Sequence, residues 1–269
     1  MTSWKNWTSK FSAKQNRTLE HIMTNTIEIT IPILNEEATL AQQVKTAHSY
    51  IQENLKDLGI ITITLADNGS TDSTQAIGEA LSQELPNVNY LRLEKRGVGL
   101  ALKSSWTAST ADIVGYMDLD LATDLSHLRP ALSSLLSNKA DVVTGSRLAK
   151  GAKVIGRTPL RNFTSACFNR IVKVIFRTSF SDGMCGFKFL QRSKLAPLMV
   201  EGAQSDGWFF ATEILVTAEH LNYRVLDLPV TWTDDPNSKV KIIKLSLEYL
   251  KAMFALRQRL QNAKSAPHS

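Results

Sequence analysis

The sequence predicts an α/β protein, a mostly parallel sheet covered by helices on both faces. From residue 26, short β-branched runs alternate with longer stretches of helical pattern, and those stretches are long enough for crossover helices. Polar clusters fall just after the runs, where loops leave a sheet.

The runs Ile27–Ile33, Ile60–Ala66, Val88–Leu93, Ile113–Met117 and Asp141–Thr144 read as strands in that order. After Arg147 the alternation fades. A helix is expected over Pro159–Arg177, with proline in its first turn. A Gly-rich turn, Asp182–Gly186, follows, then a helix near Phe209–Leu221, a strand at Arg224–Val230 and a long helix from about Lys239. The organisation expected is an arm (1–25), one domain (26–238), and an amphipathic helix with tail (239–269). Residues 148–238 as a semi-separate lobe are the alternative.

With 269 residues, 43% of them hydrophobic, the chain is long enough to bury a full core. Its two cysteines, Cys167 and Cys185, form neither a disulfide framework nor a zinc pattern. No run approaches the ~18 apolar residues of a membrane span, and Lys5, Lys10, Lys14 and Arg17 interrupt any signal core, so neither secretion nor membrane crossing is expected. The net charge is +6, but the excess sits at the ends and leaves the body slightly acidic. No nucleic-acid partner is expected.

In open parallel sheets, ligands gather at the carboxyl ends of strands. Asn35-Glu36-Glu37, Asp67-Asn68-Gly69-Ser70, Asp118-Leu119-Asp120 and Gly145-Ser146-Arg147 all fall there and imply one site. Asp118 and Asp120 offer hard oxygen donors suited to Mg²⁺ or Mn²⁺ on a diphosphate; a solvated turn or helix cap has the same spacing. The stretch Asp67–Asp72 fits a turn and helix cap, in which Asp67 can also accept from a pyrimidine imino group or bond a ribose. Arg96-Gly-Val-Gly99 lacks the third glycine of a dinucleotide fingerprint but leaves room for a backbone to approach a nucleotide.

The ordered set Ile31–Glu37, Asp67–Asp72, Arg96–Gly99, Asp118–Asp120, Gly145–Arg147 and Cys185–Lys188 resembles the family 2 glycosyltransferases with the GT-A fold, over roughly residues 27–240. The segments Gly207–Glu213, Leu228–Trp232 and Ser238–Val240 resemble the polyprenyl-phosphate branch, and the pattern is most similar to the dolichyl-phosphate glucosyltransferases. The resemblance implies that Pro32, Asn35, Glu37 and Gly97 border the nucleotide-sugar and that Asp67 reads its base. It places Asp118 beside the ribose or diphosphate, and Asp120 with Asp118 at the metal. Arg147 would lie near the leaving diphosphate and the acceptor phosphate, with Arg161, Ser165 and Lys239 on the acceptor side. Asp118, Asp120 and Arg147 form the implied catalytic set. Ala122 stands where the mannosyltransferase pattern has glutamine and resembles the glucosyltransferase version, which points to UDP-glucose. Asn68 stands where many relatives have a second aspartate, which weakens the base assignment.

Chemistry also favours a phosphate acceptor. A hydroxyl acceptor needs a general base, which hydroxyl-directed relatives supply from an adjacent Glu-Asp pair; Phe210-Ala-Thr-Glu213 has no such pair. A phosphate monoester, with a second pKa of about 6, is already an anionic nucleophile at neutral pH. Trp4, Trp7 and Phe11 among lysines, and the stripe Ile242, Leu245, Tyr249, Met253, Leu256 and Leu260, fit interfacial helices; ordinary packing on the domain is the alternative. The expected partners are a nucleotide-sugar, a polyprenyl phosphate and a membrane surface at its cytoplasmic face, with a membrane-protein partner left open. The rivals are a hydroxyl-directed family 2 enzyme and a non-catalytic nucleotide-sugar-binding protein.

Overall fold

The structure, a computed structural model, describes residues 25–234 and 242–265. The arm with Trp4, Trp7 and Phe11, and Lys239 of the Ser-Lys turn, lie outside the described residues. In chain order the elements are β1 (Thr26–Ile33), α1 (Leu40–Asn54), β2 (Ile60–Asp67), α2 (Thr74–Glu84), β3 (Val88–Arg92), α3 (Val98–Ala108), β4 (Ile113–Met117), α4 (Leu128–Leu136) and β5 (Val142–Ser146). There follow β6 (Lys153–Ile155), α5 (Pro159–Phe176), β7 (Phe187–Gln191), α6 (Leu195–Glu201), α7 (Phe210–His220), β8 (Val225–Pro229), β9 (Thr231–Thr233) and α8 (Ile242–Ser265).

The main sheet has seven strands in the order β3-β2-β1-β4-β7-β5-β8, and β6 pairs with β9 beside it. Every neighbour in the main sheet is parallel except β7, which runs antiparallel between β4 and β5. The mostly parallel sheet expected from the alternation is therefore present, and β7 and β8 are strands of that same sheet. The sequence reading passed over β6, β7, β9 and α6. Phe187-Lys-Phe-Leu-Gln hides its strand character behind a lysine, because Lys188 is buried inside the protein.

Alternation along β1 builds the two layers. Ile27, Ile29, Ile31 and Ile33 face one apolar cluster with Leu40, Val44, Ala47 and Ile51 of α1 and Leu128, Leu132 and Leu135 of α4. Thr30, on the opposite face, meets α3, where Trp106 Nε1 donates to its Oγ1 at 3.2 Å. Beyond that face lies a second cluster, with Leu102, Trp106, Tyr116, Phe210 and Leu215. Each fully buried Ile or Leu contributes about 1.5–3 kcal/mol of transfer free energy, so the spacing Leu40-Val44-Ala47-Ile51 is sufficient to dock α1.

The C-terminal stripe corrects the interfacial reading of four of its residues. Tyr249, Met253, Leu256 and Leu260 are buried in the second cluster against α7, and the Tyr249 ring lies 5.4 Å from Phe168 and 5.5 Å from Phe209. An i, i+4, i+7, i+11 apolar face serves a protein core as well as a lipid surface, and here the core takes it.

Candidate active site

Register brings the polar clusters together. β1 pairs with β2 through Ile33↔Asp67, so the turns after both strands start at one level. Because β7 is antiparallel, its N-terminal turn lies at the carboxyl ends of β4 and β5 and delivers Asp182–Gly186 to Asp118 and Arg147.

Asp118 follows β4, and its N–H donates to the Gly186 carbonyl at 3.1 Å. Leu121 N–H returns to the Asp118 carbonyl at 3.3 Å, closing a tight turn in which Leu121 takes φ 51°, a left-handed conformation rare for a branched side chain. Asp120 lies in that turn, and its Oδ1 accepts from Ala122 N–H at 3.0 Å. Burial first, and then the Asp120 carboxylate, push Asp118 up to about 7 against the pull of Lys188 and Arg147. Two carboxylates that disfavour each other's charge form a hard-oxygen pair that Mg²⁺ or Mn²⁺ would relieve, so the donor set fits the implied cation. Among the described residues, no group of three His, Cys, Asp or Glu side chains is placed to hold a metal by itself. The remaining ligands would come from phosphate oxygens and water.

Arg147 is 8% exposed and grips the fully buried Asp182 with Nε to Oδ2 at 2.7 Å and Nη2 to Oδ1 at 3.0 Å, while its guanidinium stacks 4.8 Å from the Trp232 ring. Burial opposes the Asp182 charge, but the Arg147 charge and hydrogen bonds outweigh it and hold the carboxyl below its ordinary range. Much of the Arg147 charge is therefore already spent on Asp182. Arg161 likewise donates to Asp234 Oδ2 at 2.6 Å. Ser165 is buried on α5 with its Oγ unpartnered.

Asp67 stands at the end of β2, fully buried. Its Oδ1 accepts Ser70 N–H at 2.8 Å, and its Oδ2 accepts the Tyr90 hydroxyl at 2.6 Å and Arg92 Nη1 at 3.0 Å. Here it knits the β2 and β3 ends together, and a base would have to share those oxygens. Asn35, at φ 55°, accepts Thr71 N–H at 2.8 Å, and Glu37 accepts Ser73 N–H at 3.0 Å. Both join the β1 loop to the start of α2. Pro32 is half-buried near the end of β1. Gly97 has a packing reason for its missing side chain: a Cβ there would lie 2.4 Å from the Asp206 carbonyl oxygen, and one on Gly99 would lie 2.3 Å from that of Ser205.

Sequence reasoning gave no role to Asp182, Gly186, Lys188, Tyr90, Arg92 or Trp232. The signal was partly present, because Asp182–Gly186 and Cys185–Lys188 stood out as a turn and a motif. Lys188 Nζ donates to the Cys185 carbonyl, its charge near Asp118 and Asp182.

Known proteins resemble this chain in sequence and in fold. Residues 28–198 match the family model described as Glycosyl transferase family 2. Glycosyltransferase AglD of Haloferax volcanii is 29% identical over 81% of this chain, which spans 35% of that protein. The dolichyl-phosphate beta-glucosyltransferase of Dictyostelium discoideum is 28% identical over 87% of this chain and 74% of its own. Glucosyl-3-phosphoglycerate synthase of Mycobacterium tuberculosis, crystallised with Mn²⁺, UDP and glucosyl-3-phosphoglycerate, superposes with a TM-score of 0.66 at 16% identity, over 91% of this chain and 83% of that one. That likeness establishes the fold. With a GT-A-like sheet, an acidic pair at the end of β4 and a family match over most of its length, the chain belongs to glycosyl transferase family 2.

Proposed function

We propose that this protein transfers a hexose, glucose from UDP-glucose, to a polyprenyl phosphate with inversion at the cytoplasmic face of a membrane. The observation that carries the phosphate acceptor is the state of Glu213. It is fully buried; its Oε2 accepts Gln204 and Ser205 N–H at 2.9 and 2.7 Å, and its Oε1 accepts Ser205 Oγ at 2.6 Å and pairs with Arg259. A carboxylate so occupied is no general base for a hydroxyl. An acceptor that arrives already anionic removes the need for one.

Such an acceptor needs positive charge where its phosphate meets the donor diphosphate. Arg147 and Arg161, with Lys239 outside the described residues, are the groups proposed to provide it. Asp118 and Asp120 would hold Mg²⁺ or Mn²⁺, which when bound would offset charge on the departing diphosphate. Pro32, Asn35, Glu37, Asp67 and Gly97 are proposed to border the nucleotide. Support for the donor and acceptor comes from the dolichyl-phosphate beta-glucosyltransferase relatives and from Ala122. No described helix is long and apolar enough to cross a membrane, and the basic aromatic arm is the proposed membrane contact.

The test offers labelled UDP- and GDP-sugars to the full chain with Mn²⁺ and a short polyprenyl phosphate. Label from UDP-glucose should pass into the lipid. Preference for a GDP-sugar would overturn the donor, and absence of any lipid product would overturn the acceptor.

A further inference from the structure

The approach to α5 carries a charge that Arg147 and Arg161 do not explain. Arg157 lies between β6 and α5, with its Nε and Nη1 buried and without hydrogen-bond partners. Its electrostatic neighbours are Arg147, Arg161, Asp182 and Asp234. The two carboxylates are engaged by the other two arginines, through Arg147–Asp182 and Arg161–Asp234. Among the described residues, three guanidinium groups thus share two acids. Arg157 as a whole is half-buried, but buried donors without partners are costly, and an arriving anion would satisfy them.

The surroundings suit that anion. Thr158 caps α5, its Oγ1 accepting Arg161 N–H, so the positive end of an 18-residue helix begins just after Arg157. Nearly two turns further on, the buried Ser165 Oγ is unpartnered. Burial first, and then the Arg147 charge, hold the Arg157 guanidinium below its ordinary range, as expected for a cation lacking its counter-ion.

We propose that Arg157 binds the phosphate of the acceptor through its guanidinium, as the residue that takes the monoester when Arg147 and Arg161 are already paired. This rests on the phosphate-acceptor reading above and adds a binding residue to it. Nε–H and Nη1 lie on different edges of the guanidinium and offer separate charge-assisted donors, and lysine does not reproduce that planar, delocalised charge.

The test titrates farnesyl phosphate, and separately inorganic phosphate, into the full chain and into Arg157→Gln and Arg157→Lys, with Arg170→Gln on the exposed side of α5 as control. Arg157→Gln should weaken farnesyl phosphate binding by about 10- to 100-fold and raise its KM in the same proportion, while KM for UDP-glucose moves by less than about twofold. Arg157→Lys should fall between, and serves if the glutamine variant folds poorly. The ligand-free melting temperature of Arg157→Gln should be no lower than that of the parent, and its rise with inorganic phosphate should vanish. Unchanged farnesyl phosphate affinity in both variants overturns the proposal, as does an equal loss for UDP-glucose, which would move Arg157 to the donor side. If phosphate binding depends on Arg157 but sugar passes only to another acceptor, the functional reading fails and the binding site stands.

Discussion

Gly186 and Asp118 occupy one space: a Cβ on Gly186 would lie 1.7 Å from Asp118 Oδ2. The Asp118 carboxylate would have to move to clear that distance, so glycine just before the antiparallel strand is what lets Asp118 keep its place at the site. Gly186→Ala should therefore displace Asp118 and cut transfer by about 100-fold, as a misplacement of about 1 Å in an active site can. Kinetics together with thermal melting check it; near-normal turnover in a folded variant would contradict the placement.

Asp120→Asn isolates the cation. The amide keeps an oxygen that can accept from Ala122 N–H but loses the charge. Stability should change by about 0.5 kcal/mol or less, transfer should fall at least about 100-fold, and the rise in melting temperature with Mn²⁺ plus UDP should be lost. Retained Mn²⁺ response would remove Asp120 from the metal.

Asp182→Asn tests the buried pair. It leaves Arg147, 8% exposed, without its counter-charge, which should cost about 3–5 kcal/mol in urea unfolding. Arg147→Lys should fail to restore transfer, because ammonium reproduces neither the fork on Asp182 nor the stack on Trp232. A loss below about 1 kcal/mol in Asp182→Asn would show that the pair is not structural.

Stability in acid should depend on Asp141. Hydrogen bonds from Arg224, at 2.9 and 3.0 Å, hold its carboxyl down to about 2 against an ordinary 3.8. A depressed pKa contributes stability that is present above about 4 and is lost as the pH falls toward about 2. Arg224 is 56% exposed, so solvent screening limits the pair to about 1 kcal/mol. Asp141→Asn should lose that amount at pH 7, and the gap to the parent should shrink by pH 3. An equal gap at both values would contradict the assignment.

The sheet and the acidic pair were legible because they depend on local pattern. β-branched runs mark strands, and polar residues after them mark the ligand end. What escaped depends on pairing between distant segments. Lys188 gives β7 a polar residue in a five-residue strand, and only the fold shows that the ammonium is buried beside Asp118 and Asp182. Arg147 was legible as a cation, but Asp182, 35 residues on, takes much of its charge, and nothing local in Gly145-Ser-Arg147 signals that partner. The amphipathic C-terminal stripe was legible as a face, but its partner was not. Tyr249 and Leu256 belong to the protein core, and periodicity alone does not distinguish a core from a lipid surface.

The most direct measurement compares a short polyprenyl phosphate with its free alcohol as acceptors for label from UDP-glucose in the presence of Mn²⁺. Product is expected from the phosphate alone, as a β-linked glucosyl phosphate released by mild acid. Label passing to the alcohol, or an acid-stable glycoside, would contradict it and require a general base that Glu213 is not free to be.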